Sequence, residues 1–270
     1  MGGRHQAISF RVEDGLAILE LDRPDSRNAL DITMRNEIRD LLPEIRADRS
    51  LHALLLTGSG GAFCAGGDLK ALSEGERSSQ QNRERIRLLH VWFRELVDLE
   101  LPVVAAVDGP AFGAGFNLAL AADFVLCSTR AKFCAVFGRI GLIPDLGGFF
   151  LLPRTVGMHR AKDLVLTART VGAEEAQRIG IVTEVFAPED LRAGAIAFAN
   201  RFKHASRDAI GIAKGILNQS FNLDQHALSE MEAFGQAVCI SSDYHREAVR
   251  RFLGKEPLPF DWDRLRKEGQ

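Results

Sequence analysis

VVAAVDGPAFGAGFNLALAAD, residues 103–123, is the stretch that decides how this chain folds. Its opening residues are apolar without alternation, the pattern of a short strand buried on both faces of a parallel sheet. Gly109, Gly113 and Gly115 punctuate the turn that follows, and the small and apolar residues after Gly115 suit a packed helix. LLLTGSGGAFCAGGDL, residues 54–69, repeats the design with an apolar strand, a glycine cluster and a second helix start. Glycine lets backbone approach a ligand closely, and the first amides of a helix have no intrahelical partner. Each turn can therefore present N–H groups to negative charge, and two of them could form an oxyanion hole if they meet in space.

Working outward, AISFRVEDGLAILEL (7–21) alternates apolar and polar residues around Glu13-Asp14-Gly15, the signature of a hairpin. Asp31 is a good N-cap for a helix with Ile38, Leu41, Leu42 and Ile45 on one face. HALLLTG (52–58) reads as a buried strand, and GERSSQQNRER (75–85) as a polar loop placed where a lid would sit. A helix, RIRLLHVWFREL (85–96), precedes the central strand, while DFVLCS (123–128) and AKFCAVF (131–137) add more strand. From about Gly157 onward the segments 157–169, 172–180, 189–202, 207–219 and 223–238 have the pattern of amphipathic helices. The chain thus reads as an α/β body of roughly its first two-thirds, with a helical end that packs on it or on another subunit.

Composition excludes several classes. With a formal net charge of -2, the 270-residue chain has no global field for nucleic acid or an anionic membrane. The basic stretch NRERIR (82–87) reads as a solvated helix face. The N-terminal residues lack the apolar core of a signal peptide and no run approaches roughly 20 apolar residues, so a cytosolic protein, or the mature form of an imported one, is expected. Cys64, Cys127, Cys134 and Cys239 lack the close pairing of a zinc or redox motif, and most of them read as buried small hydrophobes. No HExxH, Walker GK[ST] or GxSxG occurs, and Phe63 takes the last glycine position of a GxGxxG.

One carboxylate lies in unusual company. IGLIPDLGGFF (140–150) surrounds Asp145 with aliphatic, proline, glycine and aromatic residues. Pro-Asp followed by paired glycines is ordinary turn chemistry. An apolar surround would also raise the pKa of an aspartate, about 3.9 when free, and make it a better base. Ile140, Leu142, Ile143 and Leu146 are the residues expected to desolvate it.

AFCAGGDLK, PVVAAVDGPAFGAGFNLALAADF, AKFCAVFGRIGLIPDLGG and LPRTVGMHRAKDLVLTARTVGAEEAQRIGIVTEVF resemble, in order and spacing, the crotonase superfamily of enoyl-CoA hydratases and isomerases. The likeness spans essentially the whole chain, from RPDSRNAL (23–30) to FLGKEPLPF (252–260). It implies a crotonase fold, a spiral of ββα units over residues 1–200, with a helical oligomerisation region over 201–270 and assembly as a trimer or dimer of trimers. It also implies an acyl-CoA thioester substrate, with coenzyme A arriving on the substrate and no permanently bound cofactor. Neither nucleic acid nor membrane is an implied partner.

Carried over residue by residue, the resemblance gives the oxyanion amides to Gly67 and to Ala114, the latter where glycine is common. Backbone around Ala65, Gly66 and Leu69 would contact the adenine end of CoA, and Arg27 its phosphates; Asp25 stands where lysine is frequent. The two glutamates of a hydratase would lie at Asn117 and Phe137, neither of which exchanges protons near neutral pH. Asp145 matches the proton-transferring aspartate of the enoyl-CoA isomerase and phenylacetyl-CoA epoxide isomerase branch. It also matches the nucleophile of aroyl-CoA dehalogenases, whose assisting histidine would be His90, a residue that reads otherwise as partly buried packing. Trp92, Phe93, Phe137, Phe149 and Phe150 could shape an acyl pocket or simply fill a core. An isomerase is the expectation; a hydratase-like or dehalogenase-type hydrolytic enzyme and a non-catalytic acyl-CoA-binding protein are the alternatives.

Overall fold

The computed structural model describes residues 5–69 and 77–268. The hairpin is present as β1 (Ile8–Glu13) and β2 (Leu16–Leu21), paired antiparallel around Asp14-Gly15. Asp31 caps α1 (Ile32–Ala47), its carboxylate accepting from Met34 N, and the helix buries Ile38, Leu41, Leu42 and Ile45 as the periodicity requires. β3 (Ala53–Gly58), β4 (Val103–Val107), β6 (Phe124–Ser128) and β9 (Glu184–Phe186) add in parallel to β2, giving a large sheet of order β1-β2-β3-β4-β6-β9. A small sheet holds β5 (Pro110–Phe112), β7 (Lys132–Cys134) and β8 (Thr170–Gly172) in the order β5-β7-β8.

The chain passes repeatedly from the large sheet to the small one and then into a helix. β4 leads to β5 and α3 (Ala114–Leu120); β6 leads to β7 and, through a 3-10 turn at Val136–Ile140, to α4 (Gly148–Val156). β3 begins the same movement, since Cys64 bridges Ala111 beside the small sheet. This is a spiral of ββα units.

Alternation along the strands divides the core in two. Leu54, Leu56, Val103, Ala105 and Val107 face a large cluster that includes α1, α3 and Leu146. Leu55, Val104, Ala106 and Leu126 face the opposite side, where α7 (Leu191–Asn200), Phe202, Phe260 and Trp262 cover the sheet. α5 (Met158–Thr167) packs on α4 and the 3-10 turn, and α6 (Ala173–Arg178) on the small sheet. The chain ends in α8 (Arg207–Gln219), α9 (Gln225–Ile240), α10 (Asp243–Leu253) and α11 (Trp262–Glu268). α8 is tied to the body by Lys214, which donates to Asp123 at 2.7 Å and to the Leu101 carbonyl at 3.2 Å.

One expectation changes. Of the polar stretch 75–85, the part from Ser79 is helical, because α2 (Ser79–Val97) starts there with a capping box: Gln81 N donates to the Ser78 hydroxyl and Ser78 N to the Gln81 side chain. Residues 75 and 76 of that stretch lie outside the described residues, as does all but Leu69 of the helix expected after Asp68.

Candidate active site

The two glycine turns meet. Cys64 N donates to the Pro110 carbonyl and Phe112 N to the Cys64 carbonyl, stitching one turn to the other at 3.0 and 2.9 Å. Two glycines permit the approach. A Cβ on Gly115 would lie 2.2 Å from the Cys64 carbonyl oxygen; one on Gly66, which has φ +103°, would lie 2.8 Å from the Phe112 carbonyl oxygen and 3.7 Å from Ala114 N. α3 has its first ladder bond from Asn117 N to the Gly113 carbonyl, so the Ala114 amide is a free helix-start donor within the ladder. The Gly67 side is held from α1: Leu30 N donates to the Gly66 carbonyl, Asp68 N to the Leu30 carbonyl, and Leu30 bridges Gly67. Arg27, exposed and in the left-handed region at φ 52°, joins the same turn, its carbonyl accepting from Ala65 N at 2.9 Å. Leu69 is exposed at the turn's far end.

Residues that sequence reasoning passed over hold this turn in place. Asn28 is fully buried, accepting from Arg23 N and donating to the carbonyls of Ser59 and Ala62. Arg23 pairs with Asp31 and Asp68, joining the cap of α1 to the residue after Gly67. The signal was a polar residue set between Arg27 and apolar Ala29-Leu30, too short to read without its partners.

Asp145 sits in a tight turn whose next residues, Leu146 and Gly147, both have positive φ (40° and 69°). Its carbonyl accepts from Gly148 N at 2.9 Å and from the Asn117 side-chain amide at 2.8 Å. Asn117 lies on α3, the helix that opens at Ala114, so one short rigid element carries an oxyanion-type amide at its start and the anchor of the acid's loop inside it. The turn expected of Pro-Asp and the paired glycines is therefore present.

The Asp145 side chain is half-buried, with Oδ1 sealed from solvent and lacking a hydrogen-bond partner among the described residues. Burial pushes its pKa above the ordinary carboxylate range, against the opposing pull of positive charge at Arg35, His90 and Arg85. The source of that burial differs from expectation. Leu146 is 1% exposed, but Ile140, Leu142 and Ile143 are exposed, because they lie on the outer side of the 3-10 turn and the loop after it. Instead, the loop is seated against the body by Leu146 and by the Phe93 ring, which rests on Gly147.

The other singled-out residues separate clearly. Phe137 is buried with its ring against Gly113, at the start of the α3 turn. Trp92 and Phe93 are buried in edge-to-face contact, whereas Phe149 and Phe150 are exposed. His90 is exposed rather than a packing residue, and it lines a cavity of about 310 Å³ with Phe93, Gly147, Phe150 and Leu151. Cys64, Cys127 and Cys134 are buried, and burial pushes the Cys64 thiol up to about 12, which removes it as a nucleophile. Among the described residues no group of His, Cys, Asp and Glu is placed to hold a metal, and no helix is long and apolar enough to cross a membrane.

Comparison with known proteins accords with this geometry. The chain is 38% identical over 257 residues to a Rhodobacter capsulatus protein named "Probable enoyl-CoA hydratase", covering 95% of this chain and 98% of that one. It is 32% identical to 4-chlorobenzoyl coenzyme A dehalogenase-2 of an Arthrobacter species (92% and 91% covered) and 33% identical to 1,2-epoxyphenylacetyl-CoA isomerase of Escherichia coli K12 (94% and 97% covered). A solved enoyl-CoA hydratase/isomerase from Cupriavidus metallidurans CH34 superposes with a TM-score of 0.89 at 36% identity, over 96% of this chain and 97% of that one. Residues 11–264 match the sequence pattern of the Enoyl-CoA hydratase/isomerase family, and the chain belongs to that family, within the crotonase superfamily.

Proposed function

We propose that this crotonase-family acyl-CoA enzyme is an isomerase that shifts a double bond, with Asp145 carrying a proton from one carbon to another. The observation that carries the reading is the sealed Oδ1 of Asp145, a carboxyl that is poorly solvated when ionised and sits on a loop anchored to the helix that opens at Ala114. In this reading the thioester oxygen accepts hydrogen bonds from the amides of Gly67 and Ala114. Asp145 removes a proton from the acyl chain, the electron pair spreads to the thioester oxygen, and the protonated carboxyl returns the proton at the other end of the conjugated system. No water is consumed. Each amide contributes about 3 kcal/mol to the charged transition state.

Backbone at Ala65, Gly66 and Leu69 would receive the adenine end of CoA, and the exposed Arg27 would reach its phosphates. Asn117 and Phe137 cannot act as a pair of acids, which argues against water addition by the two-carboxylate route. His90 supports a second reading: it lines a cavity with Gly147 of the Asp145 loop, where it would activate water after the acid attacked an aroyl ring. The helical region 201–270 would serve oligomerisation as a trimer or dimer of trimers, supported by exposed Phe234 and Val238 on α9 and Phe252 and Leu253 on α10.

The test incubates the protein with enoyl-, epoxy- and aroyl-CoA esters in deuterated water and follows products by mass. Isomerisation with no water added, abolished in Asp145→Asn while CoA-ester binding persists, is the expected result; deuterium enters only where the Asp145 proton exchanges with solvent between the two transfers. Addition of water, hydrolytic loss of a ring substituent, or unaltered turnover in Asp145→Asn would each overturn it.

A further inference from the structure

The first turns of α1 carry a largely buried arginine that no hydrogen bond or ion pair holds among the described residues. Arg35 is 8% exposed, its Nε is sealed, and among the described residues its guanidinium has no hydrogen-bond or ion-pair partner. A buried guanidinium left uncompensated is among the more costly arrangements in a protein interior, and such a group calls for an account of what meets it. Asp31 is not the answer, since one of its oxygens caps α1 through Met34 N and the other faces Arg23 at 3.4 Å. Asp145 is the other acid whose charge acts on Arg35, and its Oδ1 is likewise without a hydrogen-bond partner.

Backbone geometry puts this residue at the candidate site. Leu30 bridges Gly67, Asp31 follows as the cap, and Arg35 N donates to the Asp31 carbonyl at 3.2 Å, so Arg35 lies one turn above the bridge to Gly67. It also acts electrostatically on Cys64, the residue that stitches the two glycine turns. Arg85 adds positive charge near the same acid. An all-apolar acyl chain would leave the Arg35 guanidinium unmet; a neutral oxygen would meet its N–H groups but not its charge.

We propose that Arg35 is a substrate-binding residue and that the acyl groups taken by this site carry a carboxylate, making the substrates CoA monothioesters of unsaturated dicarboxylic acids. The proposal rests on the reading that Asp145 and the turns at Gly67 and Ala114 form the acyl site. It adds a physical consequence. A carboxylate that takes up the charge of Arg35 relieves Asp145 of the cation that favours its ionised form, so the acid becomes a stronger base when the fitting substrate is present.

The test is binding of saturated esters, which cannot isomerise, to the full chain by calorimetry. Succinyl-, glutaryl- and adipoyl-CoA are compared with butyryl-, pentanoyl- and hexanoyl-CoA on wild type, Arg35→Met and Arg35→Lys. At least one dicarboxylyl ester should bind wild type about tenfold more tightly than its neutral counterpart, with the preference falling to within about twofold in Arg35→Met and partly kept in Arg35→Lys. Wild type that favours the neutral esters at every length, or a preference that survives Arg35→Met, would overturn the proposal. The wild-type comparison decides even if a variant does not fold. Turnover in Asp145→Asn is independent of it, so failure of the isomerase reading would show there while the binding preference stood.

Discussion

Gly148→Ala tests the link between Asn117 and the loop of Asp145. The added Cβ would stand 2.6 Å from Asn117 Nδ2, 2.9 Å from its Oδ1 and 3.0 Å from its Cγ. Asn117 is 2% exposed and has no open space to retreat into. If the amide turns away, a buried N–H loses its bond to the Asp145 carbonyl, at about 1–3 kcal/mol; if it stays, overpacking costs a similar amount. Alanine at the start of α4 returns up to about 1 kcal/mol of helix propensity, so a net loss of up to about 3 kcal/mol, near 1.5 kcal/mol at mid-range, is expected. For a chain of this size the mid-range loss lowers Tm by about 3–6 °C. Scanning calorimetry measures the shift, and Gly215→Ala serves as control: it is exposed on α8 with no heavy atom near its would-be Cβ, so it should gain about 0.5–1 kcal/mol. A Gly148→Ala protein as stable as wild type would refute the inference that this amide fixes the acid's loop.

Three further outcomes follow from the same geometry. Because burial raises the Asp145 pKa, the folded chain holds a proton that the unfolded chain releases, so stability falls as pH rises from the ordinary aspartate value through the raised one and is level above it. Asp145→Asn should therefore be the more stable protein at neutral pH, with the gap closing in acid; urea titrations across that range that showed no such convergence would count against the burial. Gly66→Ala forces a side chain onto φ +103° and into the Phe112 carbonyl, and should cost about 1–3 kcal/mol while lowering kcat about 10–100-fold through displacement of the Gly67 amide. Phe234→Glu, on a residue 72% exposed, should reduce the mass seen by light scattering while leaving subunit stability within about 0.5 kcal/mol; an unchanged mass would remove α9 from the interface.

How much was legible follows from how local each signal is. The hairpin at Asp14-Gly15, the capped helix at Asp31 and the strands at 53–58 and 103–107 were readable because turn chemistry and periodicity act over a few residues. The start of α2 was also written in the sequence, as Ser78 three residues before Gln81, but the run of polar residues around it suggested a loop. The environment of Asp145 was misread in its particulars. Its apolar neighbours in sequence, Ile140, Leu142 and Ile143, are exposed, and the burial comes with contacts distant along the chain, of which Phe93 at Gly147 is one. Arg35 was invisible for the same reason: an arginine in an amphipathic helix looks solvated until the packing of the other elements encloses it.

Asn117 has a consequence for how this protein can change its trade. On the proposed reading it stands where a hydratase would keep its first glutamate, while its amide is committed to the Asp145 carbonyl. An acid installed there would forfeit that bond, so on this reading one chemistry would be gained at the expense of the other, and a lineage moving between them would have to change both positions together.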